Sequence, residues 1–87
     1  MKTIPLTKGY FTKVDDDDYK IFAILRWHAV LPRGIPRAAR TVNIGGKKSY
    51  IYLSRAILNA PTGLYVDHIN RDTLDNRKVN LRICTNK

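Results

Sequence analysis

The C-terminal part of the chain contains two short apolar runs separated by a polar loop. Residues 64–70 read LYVDHIN, which is typical of a β-strand, and residues 81–85 read LRICT, which is typical of a second strand. The segment between them, RDTLDNRKVN, has too many loop-forming residues to continue either strand. The sequence therefore predicts a strand, a long loop and a return strand, with Asp67 and His68 at the mouth of the loop.

Length limits what the rest of the chain can add. The protein has 87 residues, of which 44% are hydrophobic, which is enough for one modest core but not for two. We expect an α+β fold, in which a small mixed β-sheet domain carries short helices. A single domain is predicted over 1–87. Its first part, 1–63, is basic and rich in β-structure, and 64–87 holds the strand–loop–strand unit.

Local patterns predict the elements of the N-terminal part. Residues 3–15, TIPLTKGYFTKVD, are typical of β-structure broken at Gly9, with Tyr10, Thr12 and Val14 alternating against Phe11 and Lys13. DDDDYKIFAIL predicts a helix, with its aspartates at the cap and in the first turn and one face formed by Ile21, Ile24 and Leu25. WHAVL predicts a strand, and a hairpin is expected over 38–53, turning at two adjacent glycines. SRAILNAP predicts a short helix.

The charge distribution points to a polyanionic partner. The formal net charge is +9, and no acidic residue occurs between Tyr19 and Val66. Aromatic residues are interleaved with the bases of this stretch, a combination that suits phosphate contact and base stacking. We therefore expect nucleic acid to bind there, through Arg33, Arg37, Arg40, Lys47, Lys48 and Arg55.

Other classes of partner and location are less well supported. No apolar run approaches the roughly 18–20 residues of a membrane span, and no strongly amphipathic basic helix is present. Cys84 is the only cysteine, so the chain has neither an intrachain disulfide nor a cysteine-built zinc site. These features favour an intracellular, cytoplasmic protein.

The Asp-His pair suits phosphodiester hydrolysis. Histidine titrates near neutral pH and can take a proton from water, and a neighbouring carboxylate can bind Mg²⁺. Successive strand residues point to opposite sides, so Asp67 and His68 would flank a phosphate from different directions. Asn76 and Asn80 could hydrogen-bond across the loop and orient the imidazole. The alternative is structural, because Asp-His pairs are common and Asn-rich loops often only cap turns.

VDHIN, then LDNR, then NLR resemble the motif of the HNH endonucleases, and the upstream sequence is similar to phage-type HNH homing endonucleases. The resemblance implies that His68 is the general base. It also implies that Asn80 fixes the loop and orients the imidazole of His68. Asp67 would be the metal ligand for one Mg²⁺ or Mn²⁺ ion, and Asn76 a supporting residue. Arg77 and Arg82 would contact phosphate, and the substrate would be double-stranded DNA.

The chain also departs from the family pattern. The family's catalytic unit is strand, strand and helix, and this chain stops at Lys87, where that helix would begin. Asn86 lies too close to the return strand to match the helical motif residue, and Ser54 stands where relatives often carry histidine. We expect the helix to be missing or incomplete, which would leave Leu81 and Ile83 short of packing unless a protein partner or second subunit covers them.

Two hypotheses on function therefore stay open. The chain is either an HNH-type endonuclease that nicks DNA with Mg²⁺, or a truncated and inactive derivative. In the second case it would be a phage-borne binder or inhibitor of a nucleic-acid-handling host complex.

Overall fold

A computed structural model describes residues 1–85, so Asn86 and the predicted start of the family's helix lie outside the described residues. Within them the protein is a small α+β domain with several small sheets and few helices. In chain order the elements are β1 (Lys2–Pro5), β2 (Phe11–Val14), α1 (Asp16–Phe22), β3 (His28–Val30), β4 (Arg37–Ile44), β5 (Lys47–Tyr52), α2 (Leu53–Leu58), β6 (Tyr65–His68) and β7 (Leu81–Cys84).

The strands form three antiparallel sheets. β1 pairs with β2, β3–β4–β5 form a three-stranded sheet, and β6 pairs with β7. The predicted hairpin is confirmed: Ile44 pairs with Lys47, and both intervening glycines have positive φ, +59° and +80°. Glycine adopts these angles without steric cost, as a tight two-residue turn requires.

β2 shows why the alternating pattern was informative. Thr12 and Val14 are fully buried, whereas Phe11 is 58% exposed, because successive strand residues face opposite sides. A short stretch of the polar loop docks beside this strand: Lys13 donates its N–H to the Leu74 carbonyl at 2.8 Å and accepts the N–H of Asn76 at 2.8 Å. The loop between β6 and β7 is therefore held against the N-terminal hairpin.

The prediction for α1 is wrong in two respects. The expected apolar face does not form, because Ile21 within the helix is exposed and Ile24 lies beyond its end at Phe22. Asp15 occupies the N-cap position, but its side chain makes no cap hydrogen bond. Its Oδ2 instead accepts the backbone N–H of Lys78 at 2.9 Å.

The hydrophobic core joins the N-terminal and C-terminal parts of the chain. Its buried members are Ile4, Val14, Trp27, Ala38, Leu53, Ile57 and Leu81. The expectation that Leu81 lacks cover is therefore wrong, because its side chain is 6% exposed, while Ile83 on the other face of β7 is 42% exposed. No helix within residues 1–85 has the length and apolar composition needed to cross a membrane.

Candidate active site

β6 presents Asp67 and His68 on opposite faces of the two-stranded sheet. In the register with β7, Asp67 pairs with Arg82 and His68 pairs with Leu81. His68 faces the core and is 6% exposed, whereas the Asp67 side chain is 44% exposed. The alternation of a strand thus gives these neighbouring residues two different environments.

A chain of hydrogen bonds orients the imidazole of His68. Its Nε2 lies 2.8 Å from Oδ1 of Asn76, and Nδ2 of Asn76 donates to Oγ1 of Thr12 at 2.8 Å. The Thr12 hydroxyl in turn donates to the Leu74 carbonyl at 2.7 Å. Thr12 and Asn76 are both fully buried, so water does not compete for these bonds.

The direction of this chain fixes the tautomer of His68. The Leu74 carbonyl can only accept, so the single proton of the Thr12 hydroxyl points to it, and Thr12 must accept from Asn76. The Asn76 amide therefore turns its Nδ2 to Thr12 and its Oδ1 to His68. Since Oδ1 is an acceptor, Nε2 of His68 carries a proton, and in the neutral ring the lone pair lies on Nδ1.

Asn80 holds the loop together rather than contacting the imidazole. Its Nδ2 donates to the Asp75 carbonyl and its Oδ1 accepts the N–H of Asn70, both at 2.9 Å. The sequence suggested that both Asn76 and Asn80 could orient the imidazole, but in the structure their roles differ. Asn76 contacts the ring, and Asn80 closes the loop that carries Asn76.

Asp75 is the ionic centre of the same loop. It is 1% exposed, and its carboxylate accepts two bonds of 2.7 Å from Nε and Nη2 of Arg77. These bonds lower the pKa of Asp75 from 3.8 to about 2, and burial opposes the shift. The same pair raises the pKa of Arg77. Arg77 is therefore engaged in holding the loop.

Asp75→Asn is expected to destabilise the protein by about 2 kcal/mol at pH 7. The folded-state pKa lies below the unfolded-state value, so the ionised carboxylate contributes stability above pH 4–5. This contribution is lost as the pH falls towards 2. Urea denaturation of both proteins between pH 7 and pH 2 measures the difference, which should shrink with falling pH.

Asp17→Asn provides the matched control for this prediction, because Asp17 is exposed on α1. Its free energy of unfolding should follow the wild-type curve at every pH. A gap between wild type and Asp75→Asn that stays constant from pH 7 to pH 2 would contradict the ionic role.

The acidic N-terminus of α1 anchors the end of this loop. The backbone N–H of Lys78 donates to Asp15, and the Lys78 ammonium donates to Oδ1 of Asp18 at 2.9 Å. Asp18 is 2% exposed, and its hydrogen bond raises the pKa of Lys78. Because Lys78 opens the short turn that ends at Asn80, these aspartates help to place Asn80.

Asp67, the predicted metal ligand, is bound by Arg82. Nε and Nη2 of Arg82 donate to its Oδ2 at 3.2 and 2.8 Å. In the part of the chain that the structure describes, no three His, Cys, Asp or Glu side chains cluster as a metal site would require. One carboxylate in an ion pair is of the right donor type for Mg²⁺, but residues 1–85 do not by themselves form a site that fits the ion.

The predicted nucleic-acid-binding residues fall into two groups. Arg77 and Arg82 pair with aspartates, and Arg55 donates to the carbonyls of Leu64 and Pro61 at 2.7 and 3.1 Å. Within residues 1–85, the remaining five form no ion pair: Arg33, Arg37, Arg40, Lys47 and Lys48. The residues of the second group therefore carry positive charge that no carboxylate neutralises within residues 1–85.

Sequence reasoning did not place three groups beside His68. Thr12 lies more than 50 residues away in sequence, and its alternation pattern indicated only burial. Tyr52 and Ser54 line the small cavity next to His68 together with Arg37. The signal for Tyr52 and Ser54 was their place at the end of the predicted hairpin, but no local pattern relates that point to β6.

One of three comparisons with known proteins gave a match, and it covers this part of the chain. Neither the curated proteins nor the solved structures that were searched gave a match. A family model described as HNH endonuclease matches residues 59–87, which include β6, the loop and β7. The C-terminal third of the chain is therefore similar to the HNH endonucleases, a family of nucleases.

Proposed function

We propose that the protein is a nuclease that nicks double-stranded DNA by hydrolysing phosphodiester bonds, with His68 as its general base. One observation carries this proposal: the buried bonds from Leu74 through Thr12 and Asn76 that leave the lone pair of His68 on Nδ1. The similarity of residues 59–87 to the HNH endonucleases supports the class of reaction.

The same hydrogen bonds suit both protonation states of a general base. A water molecule attacks phosphorus, its proton passes to Nδ1 of His68, and the bond from phosphorus to the leaving oxygen breaks, after which that oxygen takes a proton from solvent. Throughout this step the second ring proton stays on Nε2 and remains hydrogen-bonded to Asn76 Oδ1, which accepts from neutral and protonated imidazole alike. The ring therefore needs no rotation, which lowers the reorganisation that the reaction requires.

Arg82 would help to bind the phosphate. Its pair with Asp67 is exposed, with 62% and 44% of the two side chains accessible, and pairs of this kind contribute at most about 1 kcal/mol. A phosphate can therefore displace Asp67 and bind the guanidinium of Arg82. Asp67 would then be the carboxylate that this chain offers to Mg²⁺ or Mn²⁺.

A second candidate is nucleic-acid binding without cleavage, as an inactive derivative that blocks a nucleic-acid-handling complex. Two observations favour it: His68 is only 6% exposed, and Asp67 is occupied by Arg82. This candidate needs the basic surface but no reactive imidazole.

Thr12→Val tests the proposal through the residue that fixes the tautomer. Valine keeps the shape of threonine but removes the hydroxyl, so the Asn76 amide is free to turn over and present Nδ2 to His68. The imidazole would then accept at Nε2 and carry its proton on Nδ1. We expect the nicking rate of supercoiled plasmid with Mg²⁺ or Mn²⁺ to fall at least about 10-fold, and stability to fall by about 1–3 kcal/mol.

The control is Thr3→Val, an exposed position on β1, which should nick at the wild-type rate. Equal rates for wild type and Thr12→Val, at a temperature where both are folded, would remove the tautomer argument. If wild type binds DNA but does not nick it with either ion, the inert binder replaces the nuclease.

A further inference from the structure

A groove runs between the end of the β4–β5 hairpin and the start of β6. Its volume is about 390 Å³, within the range of roughly 300–1,000 Å³ that small-molecule sites occupy. The residues that line it include Arg37, Tyr52, Ser54 at the start of α2, Tyr65 and Val66. All five lie in the described part of the chain, and Arg37, Tyr52 and Ser54 precede the segment that matches the family model.

The groove adjoins the His68 cavity. Arg37, Tyr52 and Ser54 line both spaces, so these three side chains form the wall between them. The cavity at His68 is small, whereas the groove is larger and open. A ligand in the groove is therefore one side chain away from the imidazole.

Arg37 gives the groove its charge. Its guanidinium lies 5.7 Å from the ring centroid of Tyr52, which holds the planar group in place by cation–π attraction. In residues 1–85 it has no carboxylate partner. The second arginine of the groove, Arg55, is committed to backbone carbonyls. Arg37 is thus the guanidinium available for an incoming phosphate, and arginine suits phosphate oxygens.

Tyr65 supplies an aromatic surface to the same groove. It is 52% exposed, so much of its ring is accessible. Exposed aromatic rings stack on nucleobases of any sequence. No acidic side chain lines the groove among the described residues, so nothing there repels a phosphate.

We infer that this groove binds one nucleotide of the nucleic-acid strand, with its phosphate on Arg37 and its base against Tyr65. The inference rests on the proposed function and deepens it, because it places a substrate nucleotide beside His68. It also assigns roles to residues that lie outside the strand–loop–strand motif.

The test uses thymidine 3′,5′-bisphosphate as the probe, with inorganic phosphate beside it, and follows backbone amide shifts of the full chain by NMR. Saturable binding of the bisphosphate is expected, with the largest shifts at the groove. Arg37→Gln should weaken both probes at least about 5-fold. Tyr65→Ala should weaken only the bisphosphate by at least about 5-fold, and Tyr65→Phe should restore it.

Arg26→Gln is the matched control, since Arg26 is an exposed arginine that does not line the groove; its affinity for both probes should stay within twofold. Non-saturable binding, or unchanged affinity in folded Arg37→Gln, overturns the inference. Loss of phosphate binding on Tyr65→Ala also does so. Bisphosphate binding without plasmid nicking by wild type would refute the nuclease and leave the groove standing.

Discussion

Replacing His68 by alanine is expected to slow plasmid nicking by about 100- to 10,000-fold, the usual contribution of a general base. The hydrogen bonds from Thr12 through Asn76 orient the His68 side chain, and its Nδ1 is the atom that would take the proton from water. DNA affinity should change little, because the ring is buried and is not one of the basic residues that are expected to contact phosphate. Nicking rates and fluorescence-anisotropy binding measure the two effects separately.

His28→Ala is the matched control for this prediction. His28 is half-buried on β3, where its Nε2 lies 2.9 Å from Oγ1 of Thr41, and its loss should leave the nicking rate within about threefold. His68→Gln is a second variant for the case that His68→Ala does not fold. Glutamine keeps a side-chain donor for Asn76 Oδ1 but has no basic nitrogen. Nicking by folded His68→Gln at the wild-type rate would contradict the assignment.

The second large effect concerns salt. Of the residues predicted to bind nucleic acid, five have no ion pair within residues 1–85 and are not held by backbone carbonyls as Arg55 is: Arg33, Arg37, Arg40, Lys47 and Lys48. If each contacts one phosphate, the slope of log K against log salt is about −4.5, so affinity falls roughly 500-fold between about 50 and 200 mM salt. Anisotropy titrations of a short duplex at several salt concentrations measure this slope.

The hairpin residues account for much of the expected slope. Replacing Arg40, Lys47 and Lys48 together by glutamine should make the slope shallower by nearly 3, since each lost contact releases about one ion fewer. Lys20→Gln, an exposed position on α1, should leave the slope unchanged. A wild-type affinity that does not vary with salt would contradict the basic surface as the binding face.

The sequence predicted the elements best where one local rule dominated. The adjacent glycines specified the β4–β5 turn because few other residues adopt positive φ in succession. The alternation of Thr12 and Val14 with exposed neighbours specified the faces of β2. α1 was predicted less well, because Asp15 at its N-cap and Asp18 in its first turn accept bonds from Lys78, which is 60 or more residues away, instead of capping the helix.

The candidate site shows the same division. Asp67 and His68 were found from residue type and from the strand–loop–strand pattern, and strand alternation put them on opposite faces. The partner of the imidazole could not be chosen, because Asn76 and Asn80 are equally able to hydrogen-bond across a loop. The choice follows from the docking of residues 74–76 on β2, which brings Asn76 to Thr12.

By itself, then, the sequence determined a basic α+β domain with an Asp-His pair at the mouth of an Asn-rich loop, because charge, turn residues and period-2 alternation act over a few neighbours. Only the tertiary structure decided which nitrogen of His68 carries the proton, which arginines stay free of carboxylates, and which side chains from β4 and β5 stand beside the imidazole. These depend on contacts between residues far apart in sequence, and such contacts are selected by the packing of the whole core.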